Sequence, residues 1–418
     1  MKQGLALILL LSSIIGFSQN SQRCISSLLS PGDSALFKSE SIPRYDIKDL
    51  DYYVIPVVVH VIHNNGVENV SDESILWQIE KLNEAFGKYG SGNNNDPRSI
   101  EAPIRFCLAT RDPESNASSG INRVESEDTD LIYSREAEIK GLSRWPTDRY
   151  LNIWVVRSIT FDQGGPSTGT VQGYAYLARD RANTNVDGVV VAAPFWGNHR
   201  FAAPRFREGR TTIHEVGHYL NLLHLWGNDE GDCNELDLVA DTPPASGPQY
   251  SFDNGNPQCY ESISCQQDRM TNNYMEYFDD PCLNAFTEGQ IQRMDNAIQR
   301  YRSKLVNINN VKECGCEELF DSLNTFENPF IAIYPNPVEQ FFYIDLFGTQ
   351  TQSFDINLFD SKGRLVKVYE NVNSPETYRY ELSGLQAGIY IDDITLEYIE
   401  DGELKNYRER FKLVKVAN

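Results

Sequence analysis

Histidine is scarce in this chain, six among 418 residues, and basic residues are outnumbered, 37 Lys and Arg against 59 Asp and Glu. The net charge of -22 argues against nucleic acid or an anionic membrane surface as partner. Long apolar runs are missing beyond the N-terminus, so no later segment reads as transmembrane. The one such run, Leu5 to Phe17, follows Lys2 and ends among the small residues Gly16 and Ser18. It is too short to span a bilayer and reads as a secretory signal peptide over residues 1–18. Cys24 lacks a lipoprotein-type small-residue box, since Ser21, Gln22 and Arg23 precede it, so no lipid anchor is expected. Eight cysteines in an exported chain point to disulfides, whose connectivity spacing alone does not supply.

Three of the six histidines crowd into one stretch, Thr211-Thr-Ile-His-Glu-Val-Gly-His-Tyr-Leu-Asn-Leu-Leu-His224. On a helix, His214 and His218 sit one turn apart on the same face, so both imidazoles can reach one ion. Glu215 stands beside them and completes H-E-x-x-H, in which two histidines bind zinc and the glutamate takes a proton from the attacking water. That motif alone recurs by chance in amphipathic helices; a third histidine makes it specific. His224 lies out of register for the same face, so it joins the metal only if the helix stops and the chain turns back. The pattern resembles the metzincin motif H-E-x-x-H-x-x-G-x-x-H, with Asn221 at the glycine. Asparagine is the usual substitute where a helix ends in a left-handed residue.

At this length two or three domains are expected. Residues 19–51 are polar and read as an extended pro-segment, and 52–306 as the domain built around the motif. Val54 to His63 is β-branched and almost continuously apolar, as a strand buried on both faces would be. Ser71 caps an expected helix from Asp72 to about Tyr89, with Ile75, Ile79, Leu82 and Phe86 at helical spacing. Further strands are expected at Ile104 to Ala109, Leu151 to Val156, Gly173 to Tyr176 and Gly188 to Ala193, giving an α/β sheet ahead of the motif helix. His60, His63 and His199 read as structural or surface residues, since none has a second ligand at metal-binding spacing. From Gly227 to about Thr271 the chain has little regular pattern but carries Cys233, Cys259 and Cys265. Thr287 to Gln290 matches a capping box opening a helix that carries Ile291, Met294, Ile298 and Tyr301 on one face. Residues 307–330, with Cys314 and Cys316, read as a linker. From 331 to 418 short alternating strands predict a small all-β sandwich: Phe341 to Phe347, Phe354 to Phe359, Arg364 to Tyr369, Gly388 to Tyr398 and Arg408 to Val416.

Over about residues 52 to 303 these features resemble a pappalysin-type metzincin. The likeness rests on the Ile55-Pro-Val-Val-Val-His-Val61 strand, Ile104-Arg-Phe-Cys-Leu-Ala-Thr-Arg-Asp-Pro113 with Gly120-Ile-Asn-Arg123, Leu151-Asn-Ile-Trp154, Asp187-Gly-Val-Val190, the motif helix, Asp241-Thr-Pro243 and Asn273-Tyr-Met-Glu-Tyr277. It implies a twisted mixed sheet plus an active-site helix, with one zinc on His214, His218 and His224 and Glu215 as catalytic base. It also implies a Met-turn with Met275 as apolar floor, and Tyr277 as donor to the oxyanion. The family's interlocking disulfides map to Cys233 with Cys265 and Cys259 with Cys282, leaving Cys107 as an expected buried free thiol. Related enzymes hold calcium in this loop, which nominates Asp237 and the Thr242 carbonyl as ligands. Arg23-Cys24 resembles the cysteine that caps zinc in latent members; a thiolate is a strong zinc ligand. Asp279 and Asp280 follow the Met-turn where the family builds its primary specificity pocket, which implies a preference for Lys or Arg after the scissile bond. The C-terminal domain resembles a type IX secretion sorting domain, through Ile333-Tyr-Pro-Asn-Pro337, Leu385-Gln-Ala-Gly-Ile-Tyr390 and Phe411-Lys-Leu-Val-Lys415.

The expected protein is thus a secreted, monomeric zinc endopeptidase made as a pre-pro-enzyme, with protein or peptide substrates and the secretion machinery as partners. Two rivals stand beside it: an adhesion or binding protein on the same scaffold, suggested by Asn221 and the β-domain, and another zinc hydrolase such as an amidase.

Overall fold

The computed structural model describes residues 24–26, 52–162, 171–198, 202, 204–227, 233, 237–249, 259–324, 330–334, 338, 341–347, 350–369, 379–400 and 403–415. The expected signal peptide and His199 lie outside the described residues, as does most of the pro-segment.

The strand Tyr53–His63 is the axis of the N-terminal unit, buried along all but its first residue. Its β-branched run suits a position with neighbours on both edges and both faces. Ile104–Leu108 pairs with its first half, Ile121–Glu125 with its second half and Leu151–Val156 with its other edge, all in parallel. Val189–Ala192 continues the parallel order, and Gly173–Ala175 closes the six-stranded sheet in antiparallel sense. The sheet is therefore mixed at one edge only, and that edge faces the motif. Two three-residue strands, Asp130–Ile132 and Ser158–Thr160, pair separately.

The helix Asp72–Gly87 starts where Ser71 accepts a hydrogen bond from the Ser74 amide. It stops at Gly87, short of the expected Tyr89, because Lys88 takes a left-handed conformation, φ 54°. The helix Glu288–Tyr301 opens with the full capping box, Thr287 and Gln290 satisfying each other's backbone amides. Ile75, Ile79, Leu82 and Phe86 from the first helix and Ile291, Met294 and Ile298 from the second enter one core with the sheet.

Two expectations are corrected. Cys107, expected as a free thiol, is bonded to Cys316 across 209 residues, while Cys24 and Cys314 are free and buried. The stretch expected as a linker carries two helices, Ile308–Glu313 and Glu317–Asn324, and its Val311 and Cys316 are buried against Val54 of the first strand. Each helix is too short for sequence periodicity to stand out, and the disulfide supplies the tertiary tie that holds them.

The C-terminal unit holds two antiparallel sheets. One orders Phe330–Tyr334, Phe341–Phe347 and Arg379–Glu381; the other orders Leu365–Tyr369, Gln350–Asp360, Gly388–Glu400 and Glu403–Lys415. Phe342, Ile344, Ile356, Leu358, Ile394 and Leu413 meet in its core, as in a sandwich. Gln350–Asp360 is longer than the apolar pattern suggested, because polar Gln350 to Ser353 still pair through their backbone with Glu397 to Ile399.

Candidate active site

The motif helix runs Arg210–Tyr219 and is buried throughout. Its ending decides whether His224 can return. Leu220 closes the helix, and Asn221 follows at φ 76°, in the left-handed region. The Asn221 amide donates to the His218 carbonyl at 2.8 Å and the Leu222 amide to the Gly217 carbonyl at 2.9 Å. This pair of bonds is the Schellman arrangement, with asparagine where glycine is commonest. The chain reverses there, and His224 Nε2 lies 3.1 Å from His218 Nε2, as does His214 Nε2.

Each ring is oriented from behind or from the side. His214 Nδ1 donates to the Tyr274 carbonyl at 2.7 Å and His218 Nδ1 to the Leu222 carbonyl at 2.8 Å, which leaves their Nε2 lone pairs pointing inward. Burial pushes His218 down to about 4, so its ring is neutral at physiological pH. Trp226 stacks on His224 with centroids 4.5 Å apart. With the Nδ1 protons of His214 and His218 committed to carbonyls, inward-facing Nε2 atoms 3.1 Å apart suit a shared cation. Three zinc-bound nitrogens in a tetrahedron sit about 3.3 Å apart, so the donor set fits zinc. Among the described residues, Cys24, His214, His218 and His224 form the single group of three or more His, Cys, Asp or Glu with converging ligand atoms, all within 4.8 Å of one another.

Glu215 is fully buried beside this group. The Cys24 thiol donates to its Oε2 at 3.2 Å, and the Ser26 hydroxyl is 3.3 Å from the same oxygen. Burial and the Glu215 charge push the Cys24 thiol well up, so it is protonated with no cation present; a zinc ion beside it would reverse that balance. Met275 is fully buried beneath the helix, where a Cβ on Gly217 would meet its sulfur at 2.5 Å. Glycine at 217 is what lets this floor approach. The Tyr277 hydroxyl is 3.1 Å from His224 Nε2 and donates to the Cys24 carbonyl at 3.2 Å.

The remaining nominated residues lie elsewhere. Asp280 Oδ2 accepts from the Glu208 and Arg210 amides at 3.0 and 3.2 Å, capping the motif helix where Gly209 offers no side chain. Asp279 pairs with Arg205 at 2.6 Å. Asp237 is buried and pushed up to about 7 by that burial, and it accepts from the Thr242 hydroxyl at 2.7 Å and the Val239 amide at 3.1 Å. Cys233 is bonded to Cys265 and Cys259 to Cys282. His60 is buried in the sheet 2.8 Å from Asn152 Oδ1, and burial lowers it to about 4. Sequence reasoning missed the carbonyls of Tyr274 and Leu222, Trp226, Ser26 and the capping role of Asp280; each contact depends on the tertiary fold or on backbone atoms that carry no residue signature.

Residues 135–299 match the peptidase family described as pregnancy-associated plasma protein-A, and residues 332–398 match a secretion system C-terminal sorting domain. An extracellular metalloprotease of Arthroderma otae is 28% identical over 256 residues, spanning 60% of this chain and 79% of its own. Mature mirolysin of Tannerella forsythia, solved with a cleaved peptide, is 34% identical with a TM-score of 0.51, covering 62% of this chain and 99% of its own. A promirolysin mutant from the same organism is 29% identical, with a TM-score of 0.54 over 73% of this chain and 100% of its own.

Proposed function

The chain belongs to the pappalysin family of zinc metalloendopeptidases, and we propose that His214, His218 and His224 hold its catalytic metal while Glu215 handles the proton. The carrying observation is the convergence of three oriented imidazoles, 3.1 Å apart, beside one buried carboxylate. When bound, zinc acidifies a water and polarises the scissile carbonyl. Glu215 accepts a proton from the attacking water and delivers it to the leaving amine. Tyr277 donates to the oxyanion; that its hydroxyl already reaches a peptide carbonyl, that of Cys24, supports this role. Export is indicated by the extracellular relatives and the sorting tail, and among the described residues no helix is long and apolar enough to cross a membrane.

Latency follows from Cys24, which lies within reach of all three histidines and of Glu215. In this reading residues 1–18 are removed on export, 19–51 form the inhibitory segment, 52–306 the protease and 331–418 the sorting tail. A basic residue after the scissile bond is the finer part of the proposal; Asp279 is its remaining support, with Arg205 as a competing internal partner. Calcium at Asp237 and Thr242 is proposed on the buried carboxylate, which a cation would stabilise in its charged form.

The decisive test is Glu215→Ala in the matured enzyme. Casein cleavage is expected to vanish while zinc stays stoichiometric by elemental analysis; proteolysis retained at wild-type zinc content would sink the mechanism. Replacing Cys24 by alanine is expected to speed autoactivation, and identical activation kinetics would remove the latency role.

A further inference from the structure

The strand Gly173–Ala175 is the open edge of the sheet beside the catalytic glutamate. Among the described residues it pairs as a strand with Val189, Val190 and Val191 on one side only, its other side meeting the isolated bridge from Cys24. A Cβ on Gly173 would lie 3.0 Å from Glu215 Cγ, so the strand runs directly past the reacting region. Its other edge can take an extended chain, since Cys24 bridges Gly173 and the Ala175 amide donates to the Ser26 hydroxyl at 3.1 Å. A three-residue strand with one partner is weakly held by backbone bonds alone.

Something else fixes it. Tyr174 and Tyr176 project together to the side away from Gly173 and Ala175, by the two-residue period of extended chain. Both hydroxyls donate to one buried carboxylate, Tyr174 to Glu136 Oε2 and Tyr176 to Glu136 Oε1, each at 2.8 Å. Glu136 lies on the short helix Glu136–Gly141. One turn on, the fully buried Lys140 is 3.9 Å from Glu136, donates to the Val186 carbonyl at 2.6 Å, and sits 4.8 and 5.4 Å from the Tyr174 and Tyr176 ring centroids. A single carboxylate with its own counter-ion therefore clamps two alternate residues of the segment.

We propose that Glu136 is a positioning residue for the substrate, fixing through Tyr174 and Tyr176 the edge strand on which the substrate backbone is aligned. The inference rests on the proteolytic reading of the same site. Among the described residues Glu136 bonds to Tyr174, Tyr176 and Lys140 and not to the histidines or Glu215, so its removal should act on alignment and not on the proton transfers. Chain-backbone recognition along an edge strand is carried by main-chain hydrogen bonds, whose geometry a tilted strand would spoil.

The test compares Glu136→Gln with the parent matured enzyme on an octapeptide from casein containing a mapped cleavage site. KM is expected to rise about five- to tenfold, the loss of roughly one hydrogen bond's worth of alignment, with kcat within about twofold. Zinc content should be unchanged. Tyr176→Phe removes a single hydroxyl, and should move KM in the same direction if Glu136→Gln folds poorly. An unchanged KM, or a loss confined to kcat, would overturn the proposal. The same octapeptide titrated calorimetrically into Glu215→Ala enzyme separates the two readings. Affinity unaltered by adding Glu136→Gln removes the positioning role alone; a parent that neither binds nor cleaves any peptide removes the proposed function and this inference with it.

Discussion

In the catalytic unit the fully buried Arg302 meets Asp187 through two hydrogen bonds of 2.7 and 2.9 Å, and the buried Arg269 meets Glu276 at 2.6 and 3.0 Å. In the C-terminal unit the fully buried Asp392 has no hydrogen-bond partner on either oxygen among the described residues. A buried charge is tolerated when paired, and an unpaired carboxyl avoids most of the penalty by holding its proton. Burial, with Asp393 adding repulsion, pushes Asp392 up to about 7. The contrast extends to covalent bonds: the three disulfides all lie N-terminal to residue 317, and residues 331–418 contain no cysteine. The difference teaches that metal and thiol chemistry bear on the first unit alone, whereas pH bears on the second through Asp392 and on the first through Asp237, whose raised carboxyl, unlike that of Asp392, has hydrogen-bond partners.

Metal removal should separate them most sharply. Chelation is expected to cut peptide cleavage by on the order of a thousandfold or more, since the attacking water loses its activation. In the full chain it should also loosen the catalytic unit, because three inward-facing imidazoles lose the cation they surround. Hydrogen exchange in Gly388–Glu400 should not respond; accelerated exchange there would show that the two units are coupled.

Replacing Cys107 and Cys316 together by serine comes next. Opening a staple between residues this far apart is expected to destabilise the catalytic unit by about 2–5 kcal/mol, read as a shift in its urea midpoint. Helices Ile308–Glu313 and Glu317–Asn324 should lose exchange protection first. A midpoint unmoved by the double replacement would mean that packing of Val311 against Val54 suffices.

Asp392→Asn probes the other side. The folded pKa lies above the unfolded value, so between about pH 4 and 7 the folded unit keeps a proton that the unfolded chain releases. Stability of the β-unit therefore falls as pH rises through that window, with the full penalty present above about 7 and none below about 4. Asparagine should recover about 2–4 kcal/mol at pH 8 and nothing at pH 4, measured by exchange in Gly388–Glu400. A wild-type profile flat from pH 4 to 8 would break the comparison.

Local pattern made much of this legible and tertiary geometry set its limit. His214, Glu215 and His218 follow from helical spacing, and the strand Tyr53–His63 from its β-branched run, because both signals are confined to one element. The nomination of Asp280 for specificity drew on its place after the Met-turn, whereas the fold places its carboxylate on amides 72 and 70 residues away. No local pattern announces such a cap. Asp130–Ile132 and Ser158–Thr160 are three residues each, too short for alternation to register. The clamp of Glu136 on Tyr174 and Tyr176 joins elements nearly forty residues apart in chain order, and 22 tyrosines offered no reason to select these two.

Asn221 is where local reading and tertiary site meet, and it carries the smallest expected effect. Its φ of 76° is strained for most residues, yet asparagine tolerates it, and its carbonyl also accepts from Arg293 Nε at 2.7 Å. Glycine at 221 would relieve strain in the folded state and add freedom to the unfolded chain, so the two terms oppose. Asn221→Gly should leave stability within about 0.5 kcal/mol and zinc affinity unchanged. Asn221→Ala keeps the unfolded chain stiff and pays the left-handed penalty, about 1 kcal/mol. Because that penalty falls on the turn returning His224, it should appear as weaker zinc retention in a chelator competition, with His214 and His218 still in place. If alanine at 221 holds zinc as tightly as asparagine, the turn is imposed by Arg293 and the surrounding core, and the motif's glycine position matters less than its spacing.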